Sequence, residues 1–344
     1  MAYTRKHWRM ISTYSAAHFL VDFACAFLMF RTISASPDFR LCILLYNFCA
    51  FAMQMPLGIL ADRLDRNFLV AIAGCVLVGA AYGFVAFPLA AVIVLGLGNA
   101  LFHLGGGVDV LNISTRRSGA LGVFVSPGAF GVYLGTLLGN GTALSPIVVP
   151  IALPAAAVVI FAVHRLQRGQ YPKNAAFALP AGAPRRVLIV AVCLFFVVCL
   201  RSYVGLALSF PWKSPGLWAA LAVCAVVFGK AAGGFLADKL GALRVGVISL
   251  GAAAPLFLIP RSAAAGLLSV LLFNMTMPIT LWAMAKAFPG AKGFSFGLLT
   301  FGLFLGFLPA YSGVTFFSGA PWTFAAAAVI SLALLWPGLR KAKL

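Results

Sequence analysis

Glutamate is absent from this 344-residue chain, and its six acids are all aspartate. Charged residues of both signs make up 9% of the sequence, against 63% apolar ones. Soluble domains carry about 25% charged and about 45–50% apolar residues. A chain this poor in charge cannot cover its apolar side chains with a watery surface, so lipid is the expected solvent. Cysteine supplies no framework either. Cys25, Cys42, Cys49, Cys75, Cys193, Cys199 and Cys224 lie mostly inside apolar runs without metal-ligand spacing, and are read as small packing residues. No resident metal or cofactor is expected. Long polar segments are also missing. The longest connection is residues 164–186, which leaves no room for a soluble catalytic domain and argues against an enzyme.

What the sequence does have is positive charge, 25 Lys and Arg for a net charge of +19. In a soluble protein that balance points to nucleic acid. In a membrane chain it follows from the enrichment of Lys and Arg in cytoplasmic loops, so no nucleic-acid partner is expected.

A helix needs about 20 apolar residues to cross the hydrocarbon core. Twelve such runs are read at residues 10–30, 41–61, 68–87, 89–111, 118–138, 143–163, 187–209, 215–237, 245–260, 264–286, 293–314 and 320–338, the ninth being short. They are continuous rather than alternating, which predicts helices and not barrel strands. The first follows Arg5, Lys6 and Arg9 and lacks a small-residue cleavage site, so it is expected to stay as a span. With both termini inside, 19 of the basic residues, Arg168 and Lys343 among them, fall in cytoplasmic segments. Arg31, Arg40, Lys213 and Arg261 fall outside, and Arg201 and Lys230 within spans. Both termini are therefore expected to be cytoplasmic. The layout is a six-helix bundle over 1–163, a cytoplasmic linker over 164–186, and a second six-helix bundle over 187–344.

The two halves share a motif. Residues 58–66 read GILADRLDR and residues 233–244 read GGFLADKLGALR, with Asp62 and Asp238 at an offset of 176. The same offset pairs Gly58 with Gly234, Ala61 with Ala237 and Arg63 with Lys239. Each copy follows the second span of its half. Duplicated halves typify secondary transporters, whose substrate site lies between the repeats near the bilayer midplane.

These two stretches resemble the signature loop that follows helices 2 and 8 in the major facilitator superfamily. The first copy has Asp65 and Asn67 where the pattern has a second glycine and a final basic residue, and the second keeps Gly241. The resemblance implies twelve transmembrane helices in two pseudo-symmetric bundles, working by alternating access. It implies a conformational latch built from Gly58, Asp62, Arg63, Arg66, Gly234, Asp238 and Lys239. HFLVD (18–22), GNALFHLGGG (98–107) and PGAFGVYLGTLL (127–138) are also similar to the fosmidomycin-resistance branch of that superfamily, which implies proton-driven export. Leu104 and Gly105 stand where that branch has proline and an acid after Phe-His.

Ionisable residues inside a membrane are functional candidates by default. Asp22 and His18, one turn apart in the first span, are the proton-coupling candidates. Arg201, at a matching depth in the seventh, is the candidate partner of Asp22 or of an anionic solute; a permanent structural pair is the alternative. His103, Lys230 and Asn274 are further candidate substrate contacts, and Asp109 a candidate gate. Methionines in MQMP (53–56) and NMTMP (274–278) leave open a soft-metal reading, copper transport, against ordinary gap filling.

The expected function is secondary transport of a small organic, anionic solute across a bacterial inner membrane, proton-coupled and outward. The expected partners are that solute, protons and the bilayer, and the expected state a monomer. Proton-independent uptake or anion exchange, and a non-transporting receptor or scaffold, are the other readings.

Overall fold

A computed structural model describes residues 3–167, 171–179, 184–314 and 319–342; Arg168 and Lys343 lie outside the described residues. Among the described residues, eleven helical spans are long and apolar enough to cross a bilayer. Spans 1 to 6 are Arg5–Ala35, Phe39–Leu64, Asn67–Phe84, Pro88–Ile113, Gly119–Gly139 and Val148–Leu166. Spans 7 and 8 are Arg185–Ala207 and Leu217–Leu240, and spans 10 to 12 are Ala263–Ala287, Lys292–Tyr311 and Pro321–Lys341. Span 9, Ala242–Phe257, has 16 residues, about 24 Å of helix. It is the one expected to be short. The all-helical, twelve-span reading of the sequence holds.

The chain divides into two compact units. The first holds Met1–Ile113, Val123–Phe177 and Gly290–Gly297, and the second holds Ser114–Gly122, Ala178–Pro289 and Leu298–Leu344. Spans 5 and 11 thus each begin in one unit and continue in the other.

In the first unit, span 1 is started by a capping box. Thr4 Oγ1 accepts the His7 N–H at 3.2 Å, and His7 Nδ1 accepts the Thr4 N–H at 3.3 Å. The body of the span packs along span 5, where Gly128, Gly131, Gly135 and Gly139 recur every third or fourth residue. A side chain at the last three would run into the backbone of Phe19, Phe23 and Phe27. Lipid offers no hydrophobic drive for helices to associate, so such side-chain-free seams and interhelical hydrogen bonds hold them.

Span 5 is broken at Ser126. Pro127, which lacks an N–H, starts a second helix, Pro127–Gly139. The Val123 carbonyl, four residues earlier, takes a bond from Ser15 Oγ at 3.4 Å, and the Phe124 carbonyl faces His18 Nδ1 at 2.7 Å. Span 4 is glycine-rich for a related reason: Gly98 and Gly105 let it lie directly on span 3 at Val78 and Ala71.

The second unit repeats the seam device. Gly229 and Gly233 of span 8 press on the backbone of Leu271 and Met275, and Gly306 of span 11 presses on Cys199 of span 7. Span 10 is two helices, Ala263–Asn274 and Thr276–Ala287, meeting at Met275.

Each unit also turns sharply after its copy of the repeated motif. Asp65 (φ 47°) and Gly241 (φ 92°) occupy the left-handed region, 176 positions apart, and Asp65 is the one non-glycine to do so among the described residues. The two turns share a positive φ but not a ψ, which is 38° at Asp65 and 138° at Gly241. Left-handed geometry costs a non-glycine residue roughly 1–2 kcal/mol. What Asp65 gains is a contact: its Oδ1 accepts the Asn174 N–H at 2.7 Å. Asn174 also takes Nδ2–H bonds from Asn67 and Asn112, both at 2.8 Å, and donates to the Ala61 carbonyl at 3.1 Å. The linker segment is thereby pinned to the ends of spans 2, 3 and 4. Asp65→Gly is expected to leave global stability nearly unchanged, because relief of strain offsets the lost bond. Amide exchange at Asn174 should rise about tenfold for a bond of about 1–1.5 kcal/mol. Hydrogen-exchange mass spectrometry of the 171–179 peptide checks this; unchanged exchange there would dissociate Asp65 from the linker.

Candidate functional site

The first unit gathers its ionisable residues into one buried cluster. His18 and Asp22, a turn apart on span 1, face Asn99 and His103, a turn apart on span 4. His18 Nε2 lies 3.1 Å from Asp22 Oδ2, and His103 Nε2 lies 3.7 Å from Asp22 Oδ1. Asn99 Nδ2 donates to Asp22 Oδ1 at 3.0 Å. The two imidazole Nε2 atoms are 2.9 Å apart. The His18, His103 and Asp22 side chains are 6%, 12% and 14% exposed, so the cluster is largely enclosed.

Backbone carbonyls set the tautomers. His18 Nδ1 contacts the Phe124 carbonyl at 2.7 Å, and His103 Nδ1 contacts the Asn99 carbonyl at 2.9 Å. A carbonyl only accepts, so both Nδ1 atoms must carry hydrogen. In a neutral imidazole the other nitrogen is then an acceptor. Two Nε2 lone pairs and the carboxylate oxygens of Asp22 therefore converge, an arrangement that needs at least one shared cation. A single proton bridging the rings, with Asp22 beside it, satisfies it.

The second charged site of this unit is Asp109 on span 4. It is 1% exposed and takes hydrogen bonds from Tyr14 Oη at 2.7 Å and Asn67 Nδ2 at 2.9 Å. Tyr14 Oη is in turn 2.6 Å from Tyr171 Oη. Its contacts are neutral donors that tie span 1, span 3 and the linker to the end of span 4. Burial beside Asp109 raises the Tyr171 hydroxyl above its ordinary pKa, so Tyr171 stays protonated as a donor.

The two repeated aspartates do the same work. Asp62, at the end of span 2, accepts the Gly293 N–H at 2.7 Å and the Phe294 N–H at 2.9 Å, the first turn of span 11. Asp238, at the end of span 8, accepts the Ser118 N–H at 2.5 Å and the Gly119 N–H at 3.1 Å, where span 5 begins. The first N–H groups of a helix have no intrahelical acceptor, and the helix dipole favours an anion there. Gly58 touches Gly293, and Gly234 touches Gly119, so the backbones approach closely enough for these short bonds. Arg63 lies 4.8 Å over the Phe177 ring, while Arg66 and Lys239 are exposed.

In the second unit Arg201 is 8% exposed, and its Nη1 donates to Thr280 Oγ1 of span 10 at 3.3 Å. The sole acid in this unit's sequence is Asp238, engaged at the start of span 5. Lys230 is half-buried on span 8. Asn274 donates its amide back to the Val270 carbonyl at 2.8 Å, just before the break in span 10.

Of the residues singled out in the sequence, His18, Asp22 and His103 come together, while Asp109 sits in a network of its own. Arg201, Lys230 and Asn274 belong to the other unit. Asn99, Tyr14, Asn67, Tyr171, Asn174 and Thr280 were not singled out. Asn99 had a visible signal, since it precedes His103 by one helical turn and so shares its face.

Twelve helical spans in two halves, with a repeated loop closing the second span of each, are the fold of the major facilitator superfamily, and the chain is a multi-pass membrane protein of that fold. No family model and no curated protein matches its sequence. Solved transporters match its structure. The E. coli fucose:proton symporter FucP aligns with a TM-score of 0.62 at 12% identity, over 97% of each chain. The human organic anion transporter MFSD10 aligns at 0.65 and 15%, over 97% of this chain and 100% of that one. A bacterial homologue of the iron transporter ferroportin aligns at 0.59 and 14%, over 97% and 98%.

Proposed function

We propose that this chain is a secondary transporter that moves a small organic anion by alternating access, coupled to protons and working as an exporter. The observation that carries the reading is Asp22 held between two histidines, 3.1 and 3.7 Å from their Nε2 atoms. Asp22 and His18 bind and relay the proton, and loading or emptying the cluster changes the charge of the first unit by one. Arg201 is the anion's anchor, supported by its burial in a unit whose one acid is occupied elsewhere. His103, Lys230 and Asn274 complete the solute's contacts, and Asp109 gates. The caps made by Asp62 and Asp238, with Gly58, Arg63, Arg66, Gly234 and Lys239 around them, serve as the conformational latch. Both termini and the linker lie in the cytoplasm of a bacterial cell, by the distribution of Lys and Arg. Fold neighbours that include a proton symporter and an organic anion transporter are consistent with this assignment and do not name the cargo.

Arg201→Ala tests the anion. A thermal-shift panel of carboxylates, phosphates and phosphonates on the purified protein should return at least one stabilising anion. A charge-assisted bond is worth about 1.5–3 kcal/mol, so Arg201→Ala should weaken that anion about 10–100-fold. Full affinity in the variant would remove Arg201 from the site.

A further inference from the structure

The His18–His103–Asp22 cluster has a second chemical identity. We infer that it binds a transition-metal dication of the zinc and cobalt class, through Nε2 of both histidines and a carboxylate oxygen of Asp22.

Three observations carry this. The first is spacing. Ligand atoms on an ion with bonds of about 2.0–2.1 Å lie about 2.8–3.4 Å apart when the angles run from square to tetrahedral. The Nε2–Nε2 and His18–Asp22 separations are 2.9 and 3.1 Å, and the His103–Asp22 separation of 3.7 Å closes with a small rotation of the carboxylate. All three donors fall within 4.8 Å of one another. The second is the outer shell. Metal-binding imidazoles characteristically donate their other N–H to a carbonyl or carboxylate, which fixes the tautomer and presents the lone pair. Both histidines do so, to Phe124 and Asn99, and Asp22 is itself held by Asn99. The third is room and an unspent donor. Gly128 backs the cluster where a Cβ would fall onto His18 Nε2 and Asp22 Oδ2. Asn99, 2% exposed, has an amide oxygen with no hydrogen-bond partner beside the same carboxylate.

Two imidazoles and one carboxylate, with no thiolate or thioether, select borderline N/O-seeking dications and not Cu(I) or a hard ion such as Mg²⁺. Three protein ligands leave a fourth position for water or an anionic group. No single span holds the set: His18 and His103 are 85 positions apart, which is why sequence spacing gave no metal pattern.

The test is direct titration of the full-length, detergent-purified protein, carrying no histidine tag, with Co²⁺ alone. One saturable Co²⁺ per chain is expected, with visible ligand-field bands of a four- or five-coordinate nitrogen/oxygen site. His103→Gln should lower affinity by more than the roughly 10–100-fold that loss of an outer-shell partner costs, and His7→Gln should leave it unchanged. X-ray absorption on the zinc-loaded wild type needs no variant and should count two imidazoles. Absence of saturable binding would overturn the inference, as would a thiolate charge-transfer band, pointing to Cys25, or undiminished affinity in His103→Gln. The readout is independent of transport, so a chain that binds Co²⁺ and moves no anion would overturn the transport reading and leave this one standing.

Discussion

Asp22→Asn should reduce pH-gradient-driven solute accumulation in proteoliposomes to the level of protein-free vesicles, while solute counterflow persists. Asparagine keeps the shape of the side chain and can still meet Asn99 and His18, so the packing of spans 1 and 4 is retained. It cannot carry a negative charge. Where aspartate and a shared proton form a nearly neutral group, asparagine and a proton leave a net positive one buried among helices. Isolated buried charge is strongly disfavoured, so the variant is not expected to alternate between a loaded, nearly neutral cluster and an emptied, negative one. Counterflow needs only the loaded or unloaded carrier to reorient, and gradient drive needs both. The substitution therefore separates them. The decisive measurement uses the anion returned by the thermal-shift panel, with counterflow and gradient-driven flux read on the same vesicles. Gradient-driven accumulation at the wild-type rate would end the coupling role of Asp22.

The repeated aspartates give the second large effect. Asp62 and Asp238 each hold two backbone N–H groups at a helix start, and hydrogen bonds to a charged group contribute about 1.5–3 kcal/mol. Asp62→Asn removes the charge and leaves one acceptor oxygen, so the amides of Gly293 and Phe294 should exchange about 10–100-fold faster. Asp238→Asn should do the same at Ser118 and Gly119. Each variant should leave the other's amides at wild-type rates, because the two caps share no residue. Hydrogen-exchange mass spectrometry resolves both peptides in one experiment. Unchanged exchange at Gly293 in Asp62→Asn would show that the carboxylate does not hold the start of span 11, and the latch role would fall with it.

Much of the fold was legible because the bilayer imposes it. Apolar run length gave the spans, and an offset of 176 in a short motif gave the duplication. The short span 9 could be read for the same reason. What could not be read depends on backbone groups. The acceptors of His18 and the donors to Asp62 are main-chain atoms, present at every residue and invisible in side-chain patterns. The break at Ser126 was hidden by the apolar residues on both sides of it, although Pro127-Gly128 marks it in retrospect. His103 could be named as an intramembrane histidine, but its approach to His18 is a matter of how spans 1 and 4 pack. The linker read as a basic, proline-containing connection, and its contacts through Asn174 and Tyr171 had no visible signal. Asp65 looked like a departure from a glycine pattern, and only its dihedral angles reveal that the positive φ is kept there.

That last position bears on how the halves are joined. Two halves that share a motif are still unequal where a single covalent bridge joins them. The bridge leaves the first half at its outgoing end and so passes within reach of a side chain at this turn. Asp65 holds it, through the Asn174 N–H, and Gly241 has no side chain with which to do so. The two copies of the motif differ where the connectivity itself is unequal. Without the Asn174 contact, Asp65 would bear the cost of its left-handed backbone with nothing to offset it.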